Sequence, residues 1–151
     1  MEKKERCDIR LINAGGGLVQ NGFGEYLLIL KNGKWDLPKG AQNEGEALSA
    51  TALREVQEEC GITSIVLGRF IACTWHSYWV EANSYSPQHC PLLCFKHTFW
   101  YYMYVEGRPQ AHPQTQEGIE QCRWCTPEDV AVLLGESYPS IRWLFREIVR
   151  Q

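Results

Sequence analysis

Polar and apolar residues alternate through CDIRLINAGGGLVQ and run into three glycines, the pattern of a half-buried strand approached closely by another backbone. EYLLIL reads as a second strand. Asn32-Gly33 then marks a tight hairpin, with Lys34-Trp35 starting the return. DLPKGAQNEGE is rich in turn formers and reads as loop. After it the apolar period lengthens from two to nearly four. Asn43 is a suitable N-cap with Glu46 three residues on, as in a capping box, and Gly61 suits the left-handed residue that closes a helix.

Beyond Gly61, SIVLGRFIACTWHSYWV reads as one or two strands and LLCFKHTFWYYMYV as a long one, with EANSYSPQHCP a loop between them. A further loop, EGRPQAHPQTQEG, leads to the short strand IEQCRWC. Thr126 as N-cap and Pro127 behind it open a helix to about Leu134. Ile141, Leu144, Phe145 and Ile148 place an apolar stripe on a final helix over 140–149. The pattern predicts one α/β domain over 1–151, a mixed sheet with about three helices packed against it.

Composition agrees with a globular chain. Its 151 residues are 44% hydrophobic and 22% charged, enough for a sizeable core. A net charge of −3 gives no basic face for a nucleic-acid polymer. The opening MEKKERCDIR lacks the apolar centre of a leader, and no run approaches the ~18 residues of a membrane span. A cytoplasmic protein without membrane attachment is therefore expected. The seven cysteines are expected as reduced thiols serving as small apolar side chains. The alternative is zinc on Cys122 and Cys125 with Cys90, Cys94, His89 and His97. It conflicts with strand geometry, because residues three apart on a strand face opposite sides.

The stretch REVQEECGI is the least expected on charge grounds. Wound at about 100° per residue, Leu48, Ala52, Leu53 and Val56 form a core-facing stripe, while Glu55, Glu58 and Glu59 line its edge. A solvated charge run belongs opposite the core. Carboxylates at the border are partly desolvated and repel one another unless a cation or a salt-bridge partner neutralises them. Clustered oxygen ligands suit Mg²⁺ or Mn²⁺.

The spacing extends backward. Gly40, five residues, Glu46, seven residues, then Arg54-Glu55-Val56-Gln57-Glu58-Glu59-Cys60-Gly61-Ile62 matches the Nudix box, G-x5-E-x7-REU-x-EE-x-G-U with U aliphatic, at every specified position. The sequence resembles a Nudix hydrolase. Gly15-Gly16-Gly17, the Trp35-x-LPKG entry and the late EGIEQCRW extend the resemblance over most of the chain. It implies an α/β/α sandwich and Mg²⁺-dependent (or Mn²⁺-dependent) hydrolysis of a diphosphate bond, in a nucleoside diphosphate linked to another group. Glu55, Glu58, Glu59 and the Gly40 carbonyl would hold metal, Arg54 would orient a glutamate, and Glu46 would brace the loop by a salt bridge.

The proton acceptor is left among Glu55, Glu117 and Glu120, with Glu117 preferred. Lys39 is expected to meet phosphate. Lys96 lies in a segment similar to that of diadenosine-polyphosphate and inositol-pyrophosphate Nudix enzymes, and a lysine in so apolar a strand calls for an anion. His76 is placed as such relatives place a histidine, and a plain hydrogen-bonded role stays open for it. Tyr78 stands where diadenosine-polyphosphate hydrolases carry a tyrosine, and Trp35, Tyr78 or Trp79 could stack on a base. A (di)nucleoside polyphosphate is the favoured substrate. ADP-ribose, nucleotide sugars, oxidised nucleotides and a non-catalytic nucleotide-sensing role remain alternatives, and a homodimer is left open. The loop from Glu81 to Pro91 is expected to tune specificity.

Overall fold

The computed structural model describes residues 8–81 and 91–149. Seven strands and three helices follow in the order β1 (Asp8–Asn21), β2 (Tyr26–Lys31), β3 (Lys34–Asp36), β4 (Lys39–Ala41), α1 (Leu48–Cys60), β5 (Val66–Val80), β6 (Leu92–Val105), β7 (Ile119–Cys125), α2 (Pro127–Leu133) and α3 (Pro139–Val149). The sheet is mixed, in the order β3-β2-β1-β6-β5, with β4 added on β1 and β7 on β2. β1 and β6 run parallel from Asp8↔Leu92 to Asn21↔Val105. The stretch open to one or two strands is the single strand β5, which pairs antiparallel with β6 and is irregular around Phe70.

Alternation along the strands sends side chains to two cores. Val19, Leu27, Ile29 and Met103 pack against Ala52 and Val56 of α1. On the other face Leu18, Leu28 and Trp100 pack against Val130, Ile141, Leu144 and Phe145 of α2 and α3. This is the expected sandwich. The glycine triplet seats α1: a methyl on Gly15 would lie 2.5 Å from the Ala52 nitrogen and 2.7 Å from the Leu48 carbonyl oxygen. One on Gly17 would meet Val56, and one on Gly16 the Trp100 ring on the opposite face. The helix thus reaches closer to β1 than any residue with a β-carbon allows.

The start of α1 departs from expectation. The residue capping the helix is Ala47, with no side-chain bond, and not Asn43. Asn43 to Glu46 form a turn closed by the Glu46 N–H on the Asn43 carbonyl, and Gly45 at φ 74° takes the chain out of helical geometry. Glu46 still reaches back to the Asn43 N–H at 3.3 Å, but its carboxylate is mainly committed elsewhere. At the other end Gly61 is left-handed as anticipated, its N–H on the Gln57 carbonyl. Thr126 caps α2 in a full capping box with Asp129, and α3 begins at Pro139, one residue earlier than its pattern suggests.

Cys60, Cys73, Cys94, Cys122 and Cys125 carry free thiols. Cys122 packs on the α1 core and Cys125 in the α2/α3 core, so the two point apart. Cys7, His89, Cys90 and most of the loop after β5 lie outside the described residues. No described helix is long and apolar enough to cross a membrane.

Candidate active site

The edge of α1 carries a web centred on Arg54. Its Nε and Nη2 donate to Glu46 at 2.8 and 3.0 Å, its Nη1 to Glu55 at 2.7 Å and Glu58 at 3.1 Å, and its Nη2 also to the Ala41 carbonyl at 3.0 Å. One guanidinium therefore ties the loop after β4 to two glutamates a turn apart, a task for a planar fork of donors and not for a lysine. Hydrogen bonding to Arg54, seconded by the Thr51 hydroxyl at 2.6 Å, holds the Glu46 carboxyl down at about 2.

The glutamates differ in environment. Glu58 is exposed. Glu55 is half-buried and lies against Gly40, where any β-carbon would collide with its carboxylate. Desolvation raises its carboxyl, Arg54 opposes that, and the charges of Glu58 and Glu117 add to the rise. Glu59 is 3% exposed and accepts the Lys39 backbone N–H at 3.0 Å. Burial pushes its carboxyl up to about 7. A buried acid with one backbone donor, repelled by Glu55 and only partly offset by the charges of Lys39 and Lys31, gains from a further cation, and all-oxygen donors suit Mg²⁺. Among the described residues, however, no three acidic, histidine or cysteine side chains already converge as a finished metal cage. Arg54 occupies Glu55 and Glu58 in this arrangement.

Beside Glu59 lies a cavity of about 160 Å³, lined by Lys31, Lys39, Lys96, His76, Tyr78 and Tyr138 among others. Lys96 and His76 are directly paired across β6 and β5, so alternation sends both into it. Burial, then the charges of Lys39 and Lys31, depresses the Lys96 ammonium, and burial with Lys39 and Lys96 lowers the His76 imidazole. Lys39 is paired with Asp36. Tyr78 stacks on His76 at 5.9 Å, and Tyr138 meets His76 edge-on at 5.3 Å.

Of the residues anticipated from sequence, Lys39, Lys96, His76, Tyr78 and Glu59 meet at this cavity. Trp35 does not line it: its side chain packs partly buried against the α2/α3 core, and its backbone bridges to Ser137. Trp79 faces away from Tyr78, as its neighbour on a strand must. Glu117 stands in a 3-10 turn, near enough for its charge to act on Glu55, whereas Glu120 accepts the Gly33 N–H at 3.3 Å at the hairpin. Lys31, Asp36 and Tyr138 went unanticipated. Lys31 was readable from its place at the end of β2 beside the hairpin, whereas Tyr138 arrives from the turn before α3 and no local pattern marks it.

A family model described as the NUDIX domain matches residues 11–145. An RNA pyrophosphohydrolase of Caulobacter vibrioides is 30% identical over 92 residues, 60% of this chain and 53% of that protein. The match thus spans about half the length of that curated relative. Among solved structures, a C. elegans Ap4A hydrolase superposes with a TM-score of 0.66 at 20% identity, covering 92% of this chain and 96% of that one. The NUDIX domain of Shewanella oneidensis NrtR, complexed with ADP ribose, gives 0.66 at 16% identity over 93% and 88%.

Proposed function

The chain belongs to the Nudix family, and from that premise we propose that it is a pyrophosphohydrolase cleaving a diphosphate bond in a (di)nucleoside polyphosphate. The observation that carries this reading is adjacency: the buried carboxylate of Glu59 borders a cavity into which Lys31, Lys39 and Lys96 bring cationic side chains. A polyanion supplies the counter-charge that depressed Lys96 lacks. At about 160 Å³ the cavity is smaller than the ~300–1,000 Å³ of a whole-ligand pocket, so it takes phosphate groups while the nucleoside extends outward. Tyr78 and Tyr138 at its wall offer ring faces to a base. The Ap4A hydrolase with the same fold acts, by its name, on such a compound.

Glu55, Glu58 and Glu59, with the Gly40 backbone, would hold Mg²⁺. A divalent cation there supplies neutralisation of the diphosphate and acidification of water. Arg54 must then release Glu55 or Glu58, keeping its fork on Glu46 and so holding the loop in place. Glu117, whose charge reaches Glu55, takes the proton of the attacking water. Lys39 and Lys96 fix the phosphates against α1, and His76, kept largely neutral, donates or accepts a hydrogen bond at the cavity wall.

The test is Mg²⁺-dependent cleavage, read by chromatography of the products, of a panel: diadenosine polyphosphates, ADP-ribose, nucleotide sugars, oxidised deoxynucleotides, inositol pyrophosphates and an RNA bearing a 5′ triphosphate. Preferred turnover of the diadenosine compounds is expected. Turnover of another member alone would reassign the substrate, and tight binding without turnover of any would make the chain a nucleotide sensor.

A further inference from the structure

The sheet has a face that nothing in the described chain covers. α1 crosses β1 at Gly15 and Gly17 and stops there. Towards the start of β1, on the same face, Ile9 and Leu11 stand open, and across β6 and β5 so do Phe70, Trp75 and Trp79. These five are between 47% and 72% exposed. With aromatic side chains at ~150–250 Å² each, they expose on the order of 600 Å², the upper end of what a monomer leaves bare. Half-buried Leu93, Phe95, His97 and Phe99 of β6 fill the strip between them.

The face is ordered and uncharged. Trp75 stacks on His97 at 3.9 Å and 6°, His97 meets Phe99 tilted at 48° and 4.4 Å, and Phe70 leans on both Phe99 and Tyr101. In-register pairs continue the row: Leu11 opposite Phe95 opposite Ser77, and Ile9 opposite Leu93 opposite Trp79. No Asp, Glu, Lys or Arg falls on these face positions among the described residues. The charged and polar partners, Arg10, Lys96 and His76, alternate to the opposite face, where the last two line the substrate cavity.

We propose that this face is the docking surface for a second copy of the chain, in a twofold dimer packed sheet to sheet. Three properties select a self-partner. A twofold contact places each patch against itself, and a patch without charge is self-complementary, whereas a foreign partner met by electrostatic steering leaves charges at the site. Its apolar, tryptophan-rich composition is that of homodimer interfaces. With the half-buried β6 residues included, its area approaches the ~800 Å² per partner of a stable complex. The dimer would also back the cavity wall, because Trp75 and Trp79 stand next to His76 and Tyr78 on β5, whose other side lines that cavity. This proposal stands apart from the substrate assignment.

Sedimentation equilibrium of the whole chain over a concentration series tests it. The wild type is expected at twice the mass of one chain at micromolar concentration, and both Trp79→Glu and Leu11→Glu at the mass of one, with unchanged far-UV circular dichroism. Two positions are used so that one misfolded variant leaves the other readable. Val132→Glu, at an equally bare apolar site on α2, is expected to stay dimeric. A monomeric wild type, or a dimer that survives both face substitutions, would overturn the proposal. So would a monomer that sediments with phosphatidylcholine–phosphatidylserine vesicles in a Trp79-dependent way, which would assign the face to lipid.

Discussion

Glu59 and Arg54 show how single residues bear opposite stresses at this site. Glu59 is an acid whose folded value, about 7, lies above its unfolded one near 4.5. Its favourable contribution is complete below pH 4.5 and is lost as pH rises through 7, at most about 3 kcal/mol. With EDTA, the melting temperature should therefore fall between pH 4.5 and 7, and Mg²⁺ should restore most above pH 7. Glu59→Gln should flatten that pH slope, and an unaltered slope in the variant would show that another group produces it. Glu46, held down at about 2 by Arg54, behaves in the reverse sense, its contribution fading as pH falls from 4.5 towards 2. Arg54→Lys keeps the charge but cannot reach Glu46, Glu55 and the Ala41 carbonyl together. We expect kcat/KM to drop roughly 10- to 100-fold, as misplaced catalytic groups do, with the melting temperature nearly kept. The glutamate types and spacing were legible in the sequence because one helix carries them. That Arg54 orients a glutamate followed from the resemblance; that its one fork holds Glu46, Glu55 and Glu58 together did not, since rotamers answer to neighbours as well as to period.

At the scale of elements, the seating of α1 on β1 governs where those glutamates point. The helix touches the strand at Gly15 backbone to backbone, so Gly15→Ala must push the two apart. A loss of about 1–3 kcal/mol in urea unfolding is expected, together with weakened Mg²⁺ binding as Glu55 leaves Gly40. A change under 0.5 kcal/mol would mean the contact relaxes freely. Strands and helices were largely readable, because apolar period two and period 3.6 are local properties of the chain. Asn43 misled because a good capping residue and an acid three positions on are also what a tight turn uses, and Gly45 decides between the two. The surroundings of Trp35 were not legible for a related reason: a tryptophan beside the box loop can face a ligand or a core, and its packing on the α2/α3 core depends on chain about a hundred residues away.

For the whole molecule, the sheet works as a partition. One side of β5 and β6 sends His76, Tyr78 and Lys96 into the cavity beside Glu59, and the other presents the bare aromatic row. The cavity joins residues from β2, β4, α1, β5, β6 and the turn before α3, which is why only those carried by a known motif or an improbable burial were anticipated. Lys96→Ala should raise KM for a polyphosphate substrate about tenfold or more, the share of one charge-assisted contact, and leave the fold intact. An unchanged KM would move the phosphates elsewhere.

The central claim is that the box glutamates make this chain a metal-dependent pyrophosphohydrolase. Its most direct test is the Mg²⁺-dependent rate of substrate cleavage, read by chromatography of the products, by Glu58→Gln and Glu59→Gln beside the wild type, on the best substrate of the panel. Losing cation ligands removes several kcal/mol of transition-state stabilisation, so a fall of at least ~10²-fold is predicted for both. Wild-type rates in either variant, with the fold retained, would contradict the account.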